Sequence, residues 1–131
     1  MTTPLSIVLF SGTEDKLHAA ATLAAGAAAM GRPVNILLQY WALDAFRADR
    51  IGNGHRLAFE AAPGAPTDPA ALPWVETLRM AKELGEVQIR ACAGSLAYLQ
   101  LDVSELDPLV DSAGGIAAFF ADAEEGPITF I

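Results

Sequence analysis

The sequence predicts an α/β fold: a three-layer sandwich around a mainly parallel sheet of about four to five strands, with the layering of flavodoxin- or Rossmann-like proteins. Three observations predict it. Short apolar runs rich in β-forming residues recur along the chain. Helical stretches fall between them, as a parallel sheet requires. Glycine and proline punctuate the junctions.

Residues 5–10 (LSIVLF) read as a buried strand, broken by Ser11-Gly12-Thr13. Residues 14–30 then read as a helix. Ser11 with Glu14 fits the spacing of a capping box, and Thr13 competes as the N-cap. The alanines of this helix favour helical backbone and allow close packing. Gly31-Arg32-Pro33 is a stop signal, with glycine just past the end and proline beyond it. Residues 34–39 (VNILLQ) form the second expected strand, and YWALDAF turns into a short helix.

The breakers Gly52, Gly54, Pro63, Gly64, Pro66 and Pro69 make residues 48–70 a long loop. Residues 73–84 are helical, with Trp74, Leu78, Ala81 and Leu84 on the core side and Gly85 closing the helix. A third strand follows at 87–91 (VQIRA), then helix-like segments at 92–99 and 104–110, the latter capped by Ser104 or Asp102. A last helix spans 114–123 and a terminal strand 127–131. No repeat or long linker divides the chain, so residues 1–131 are expected to form one domain.

Composition narrows the function. The 131 residues are 53% hydrophobic and 18% charged, which argues against disorder. Sixteen acidic against eight basic residues leave a formal net charge of −8, unsuited to nucleic acid, whose phosphates are held by Lys and Arg. No Lys or Arg follows Arg90, whereas seven acidic residues do, which reads as a solvated acidic face or a docking surface for a basic partner. No apolar run reaches the ~20 residues that span a bilayer, and the N-terminus lacks the basic start of a signal peptide. A cytoplasmic protein without a membrane span is expected.

Cys92 is the single cysteine. It excludes an internal disulfide and a cysteine-based metal cluster within one chain, and no cofactor is expected. Ligands in parallel sheets bind beyond the carboxyl ends of the strands. Two features fall there: Ser11-Gly12-Thr13 with Lys16 in the following helical turn, and Cys92 directly after the third strand. If the first and third strands are neighbours, both share one edge. A thiol at a helix start meets unpaired N–H groups and the positive end of the helix dipole, which favour the thiolate. Ala93 and Gly94 add little bulk beside it. The alternative is a small buried hydrophobe, a common fate of free cysteine.

Other chemistry is weaker. His18 and His55 have no metal-ligand spacing and read as structural or solvated. Tyr40 and Trp41, at the end of the second strand, read as core or as stacking residues. Gly52-Asn53-Gly54 follows no clear strand, the turn at Ser11 lacks the glycines of a phosphate loop, and there is no nucleophile elbow.

The opening SIVLFSGTEDKLHAAATLAAGAAAMGRPVNILLQYWAL resembles the DsrE/DsrF-like family, especially its branch labelled peroxiredoxin-like. The resemblance lies in Ser11, Gly12, Asp15, Lys16, Ala29, Met30, Gly31, Trp41 and Leu43, then in Ala91 and Cys92 of VQIRACAGSLAYLQLDVSEL, and in the C-terminal GGIAAFFADA and ITFI. It implies a DsrE-like fold and a sulfur-relay protein that holds sulfane sulfur as a persulfide on Cys92. Ser11, Gly12, Lys16, Tyr40, Trp41, Ala93 and Gly94 would support that site. The implied partners are a TusA-type sulfur carrier or a rhodanese-like sulfurtransferase, and the implied assembly is a homo-oligomer, trimer or hexamer. Such a chain is a sulfurtransferase-like carrier rather than a turnover enzyme. Two further readings stand beside it: a scaffold or binding subunit with an inert Cys92, and an enzyme acting on a small ligand through Lys16, Ser11 or Tyr40.

Overall fold

A computed structural model describes residues 3–53 and 71–131. His55, Gly54 and the glycine and prolines at 63, 64, 66 and 69 lie outside the described residues. Five strands, β1 (Leu5–Leu9), β2 (Val34–Leu38), β3 (Val87–Cys92), β4 (Ser112–Gly114) and β5 (Ile128–Phe130), make one parallel sheet in the order β4-β3-β2-β1-β5. The helices are α1 (Glu14–Ala29), α2 (Tyr40–Ala45), α3 (Trp74–Leu84), α4 (Ala93–Leu99) and α5 (Ile116–Ala123). The predicted α/β class and parallel sheet are therefore observed.

The sheet has two unequal faces. Ile7, Leu9, Val34, Ile36, Leu38, Val87, Ile89 and Ala91 point to one side, where they pack with Leu17, Ala20, Ala21 and Ala24 of α1 and Trp74 and Leu78 of α3. The alternate residues Val8, Leu37 and Cys92 point to the other side, where they meet Phe119 of α5. The large core is thus on the α1–α3 side. There the rings of Phe46 and Trp74 meet at 5.1 Å, tilted by 57°, and both are buried.

The alanines of α1 have a visible purpose. Ala20, Ala21, Ala24 and Ala28 are buried where α1 packs on α3, and only small side chains permit that approach. Gly85 belongs to the same contact, because a Cβ there would sit 3.1 Å from the Ala28 carbonyl oxygen. The stop at Gly31 is a Schellman motif. Gly31 has φ +78°, its N–H donates to Ala28 at 3.0 Å, and the Arg32 N–H donates to Ala27 at 2.9 Å.

Several expectations are corrected. β1 and β3 are not neighbours, because β2 lies between them and pairs with both. No capping box forms at α1. Thr13 is the N-cap without a side-chain bond, and Ser11 Oγ accepts from the Thr13 N–H instead. Leu84 is exposed. Residues 104–110 are not a helix. A 3-10 turn at Val103–Glu105 is capped by Asp102 and Glu105 reciprocally, and Leu106 then bridges to Arg47. Pro108 disfavours helix at Asp107, whose carboxylate instead accepts from the Leu109 N–H at 2.9 Å. Gly114 belongs to β4, so the last helix begins at Ile116.

Enlarging a buried alanine of α1 should overpack this contact. Ala24→Leu is expected to lower stability by ~1–3 kcal/mol, read as a shifted urea midpoint at constant slope. An unchanged midpoint would mean that α1 and α3 do not pack this closely.

Candidate functional site

Cys92 is the last residue of β3 and the N-cap of α4. The strand period turns its side chain toward α5, and the sulfur packs with Leu37 and Phe119. The thiol is 8% exposed. Ala93 and Gly94 are exposed, and a Cβ on Gly94 would lie 4.0 Å from Sγ. Glycine therefore puts no side chain against the sulfur there. The first N–H groups of α4 have no partner within the helix.

The position of Cys92 follows from topology. Cys92 pairs with Gly114 of β4. The chain leaves β3 into α4, which packs against α2, whereas it leaves β4 into α5 on the other face. Adjacent strands whose connections diverge leave a crevice at their carboxyl ends, where ligands of open α/β sheets bind.

The other sequence-predicted residues separate into distinct places. Ser11, Gly12 and Trp41 line a cavity of about 390 Å³ together with Thr13, Asp44, Ala45 and Arg50. Gly12 is required there, because a Cβ would meet the Trp41 carbonyl oxygen at 2.4 Å. Ser11 Oγ and Thr13 Oγ1 are 3.0 Å apart, and Arg50 is fixed to Asp44 at 2.6 Å. Cys92 does not line this cavity. Lys16 is exposed on α1, which covers the opposite face from the sulfur. The expected pairing of Lys16 with Cys92 is thus not formed, because β2 intervenes and the two side chains face opposite sides. A larger groove of about 790 Å³ opens at the amino ends of β2 and β3, away from Cys92, beside Asn35, Lys82, Asp111 and Asp122.

Tyr40 belongs to a feature that the sequence did not announce. Phe130, Phe10, Tyr40 and Tyr98 form a row, with ring centroids 5.8, 5.6 and 5.3 Å apart. The row crosses the carboxyl ends of β5, β1 and β2 and reaches α4. Tyr40 holds φ +43° to take its place, a left-handed conformation rare outside glycine. Phe130 and Tyr98 at its ends are each 68% exposed. Alternating sequence positions gave no signal for this row, since its members come from four separate segments.

Electrostatics elsewhere is local. The Asp102 carboxyl is held below the usual carboxylate range by the Ser104 hydroxyl and N–H, both donating to it. Arg47 is raised above its ordinary value by Asp49 and then Asp44. Neither touches the cysteine cluster. His18 lies beside Glu14 on the outer surface of α1 at 4.0 Å. Among the described residues no group of three or more His, Cys, Asp or Glu is arranged to hold a metal.

Ser95, three residues beyond Cys92, is fully buried, and its Oγ has no hydrogen-bond partner among the described residues. An unmatched buried hydroxyl costs about 1–3 kcal/mol. Ser95→Ala should therefore leave thermal stability unchanged or raise it by up to ~1 kcal/mol. A clear loss would mean that the hydroxyl has a partner in the working protein.

Comparison with known proteins agrees with this architecture. Residues 2–75 match the DsrE/DsrF/DrsH-like family, a stretch that ends before Cys92. The Bacillus subtilis (strain 168) protein YrkE, described as uncharacterized, is 31% identical, and the match covers 94% of this chain and 92% of YrkE. In fold the chain is similar to MTH1491 of Methanobacterium thermoautotrophicum, a protein of unknown function (TM-score 0.69, 11% identity, 99% of this chain and 100% of that one). It is also similar to YchN of E. coli (TM-score 0.60, 14% identity, 99% and 100% covered). This chain belongs to the DsrE/DsrF-like family.

Proposed function

We propose that the chain is a cytoplasmic sulfur-relay protein, a DsrE-like domain over residues 1–131 that carries sulfane sulfur as a persulfide on Cys92. The observation that carries this reading is the position of Cys92 at the strand-end crevice between β3 and β4, where Gly94 puts no side chain beside the sulfur. Family membership supports the sulfur-relay setting.

The chemistry needs one thiol. The Cys92 thiolate attacks the terminal sulfur of a donor persulfide. A new S–S bond forms on Sγ, the donor's S–S bond breaks, and the donor departs as a thiolate. No net oxidation occurs, and no second cysteine is required. Transfer onward repeats the step with Cys92 as the leaving group. Partners that exchange sulfur in this way are TusA-type carriers and rhodanese-like sulfurtransferases. Ala93 and Gly94 give access, while the aromatic row from Phe130 to Tyr98 offers an apolar landing surface at the same sheet edge.

A homo-oligomer, trimer or hexamer, is part of the proposal. β5, an edge strand of the sheet, carries Ile128 and Phe130 outward, each 46% exposed or more. An unpartnered apolar edge suits an assembly in which it is covered.

A second reading has an observation of its own. The 8% exposure of Cys92 also fits an inert core thiol in a scaffold subunit. Intact mass after brief exposure to polysulfide separates the two. The sulfur-relay reading expects wild type to gain one or more sulfur atoms under native conditions and Cys92→Ser to gain none. Loading only after unfolding would establish the scaffold reading.

A further inference from the structure

We propose that α5 is a hinged cover over Cys92, clamped to the sheet through Asp122, with Arg90 and Asn35 as positioning residues that set how often the thiol can be reached. This cover serves the thiol chemistry assigned to Cys92 and in that sense rests on the sulfur-relay reading. Its test needs no persulfide.

The cover has an apolar plug and a polar clamp. Phe119 is the plug, packed with Leu37 and Cys92. Asp122, one turn further along α5, is the clamp. Its carboxylate accepts from Arg90 Nη2 at 2.6 Å, and its backbone carbonyl accepts from Asn35 Nδ2 at 3.1 Å. The two donors come from β3 and β2, on the face where Cys92 lies. Arg90 precedes Cys92 by two residues, so clamp and thiol share one strand and one side of it.

The surrounding glycines fit this arrangement. Gly114 leaves room for the Arg90 stem, because a Cβ there would sit 3.1 Å from Arg90 Cδ and 3.3 Å from Nε. Gly115 is the N-cap of α5, with no side-chain cap bond, and a Cβ on it would meet nothing within 4 Å. Gly115, between the end of β4 and the start of α5, is thus an uncrowded joint immediately before the helix. Both ends of α5 run into strands of the sheet, so the helix can tilt but cannot leave. On its outer side Ile116 and Phe120 are exposed.

A donor sulfur must come within bonding distance of a thiol that is 8% exposed. Tilting α5 off Leu37 and Cys92 uncovers it, and the Arg90–Asp122 pair opposes that motion. The pair is partly exposed, with side chains 18% and 44% accessible, so it is modest and sensitive to salt. Such a clamp biases an equilibrium rather than locking it.

The test is the rate at which uncharged iodoacetamide alkylates Cys92 in the folded full chain, followed across pH. The plateau above the thiol pKa reports access, and the midpoint reports the charge state of the thiol. Asp122→Asn is expected to raise the plateau about threefold to fivefold, the range of a partly exposed ion pair, with the midpoint unmoved. Arg90→Lys, which keeps the charge but loses the planar fork, should fall between. Wild type needs no substitution to report: raising NaCl from about 0.05 M to about 1 M should lift its plateau by a similar factor, and Asp122→Asn should ignore the salt. A plateau unaffected by both salt and substitution overturns the cover. So does a shift of midpoint alone, which would make Arg90 and Asp122 electrostatic neighbours of the thiol rather than a clamp. Alkylation that follows the clamp, together with no persulfide loading, would retain the cover and remove the sulfur-relay reading.

Discussion

The direction in which the chain winds governs this structure. From β1 to β4 each strand is laid on the same side of its predecessor. Right-handed crossovers made in one direction deposit their helices on one face, which is why α1 and α3 pack together over the large core. The chain then has to return from one edge of the sheet to the other to place β5 beside β1. That return runs the opposite way, so its helix, α5, falls on the opposite face. Eight residues at 1.5 Å each make a rod of about 12 Å, too short to cover five strands spaced about 4.8 Å apart. One thick face and one thin face are the consequence.

The placement of Cys92 follows from the same winding. The reversal of direction occurs at β4, so the crevice between diverging connections lies between β3 and β4, where Cys92 and Gly114 pair. Its side chain points to the thin face because it alternates with Ala91, which is in the large core. A cysteine on the thick face would sit under two helices. On the thin face it lies under one among the described residues, with no side chain at Gly94 beside it. The thin face also explains the polar residues beneath α5. Asn35 and Arg90 would be costly in the large core, yet here each reaches Asp122. Packing, mobility and reactivity are linked at one helix: the little that holds α5 down is what stands between the thiol and its surroundings.

The sequence disclosed those parts whose information is local. β1, β2 and β3 are apolar enough to be read directly, α1 announces itself through its alanines, and Gly31 marks its end. The sequence also singled out Cys92 through its place between a strand and a helix. Non-local information was hidden. β4 is Ser112-Ala113-Gly114, three residues without β-forming character, and it is a strand only because β3 offers an edge. Strand order was hidden for the same reason, and with it went the expected meeting of Lys16 and Cys92. Tyr40 and Trp41 are adjacent in the chain but serve apart, one in the aromatic row and one on the cavity beside Gly12. The Asp122 clamp joins residues 32 and 87 positions apart, a separation over which periodicity carries no information.

The central claim is that Cys92 receives and passes on sulfane sulfur. It is tested most directly by following isotopically labelled sulfur from the persulfidated protein to a purified TusA-type carrier in a single turnover. The account predicts that the label leaves Cys92 and appears as a persulfide on the carrier's thiol, with no transfer from Cys92→Ser exposed to the same donor. Label that stays on the protein, or transfer that proceeds equally well with Cys92→Ser, would contradict it.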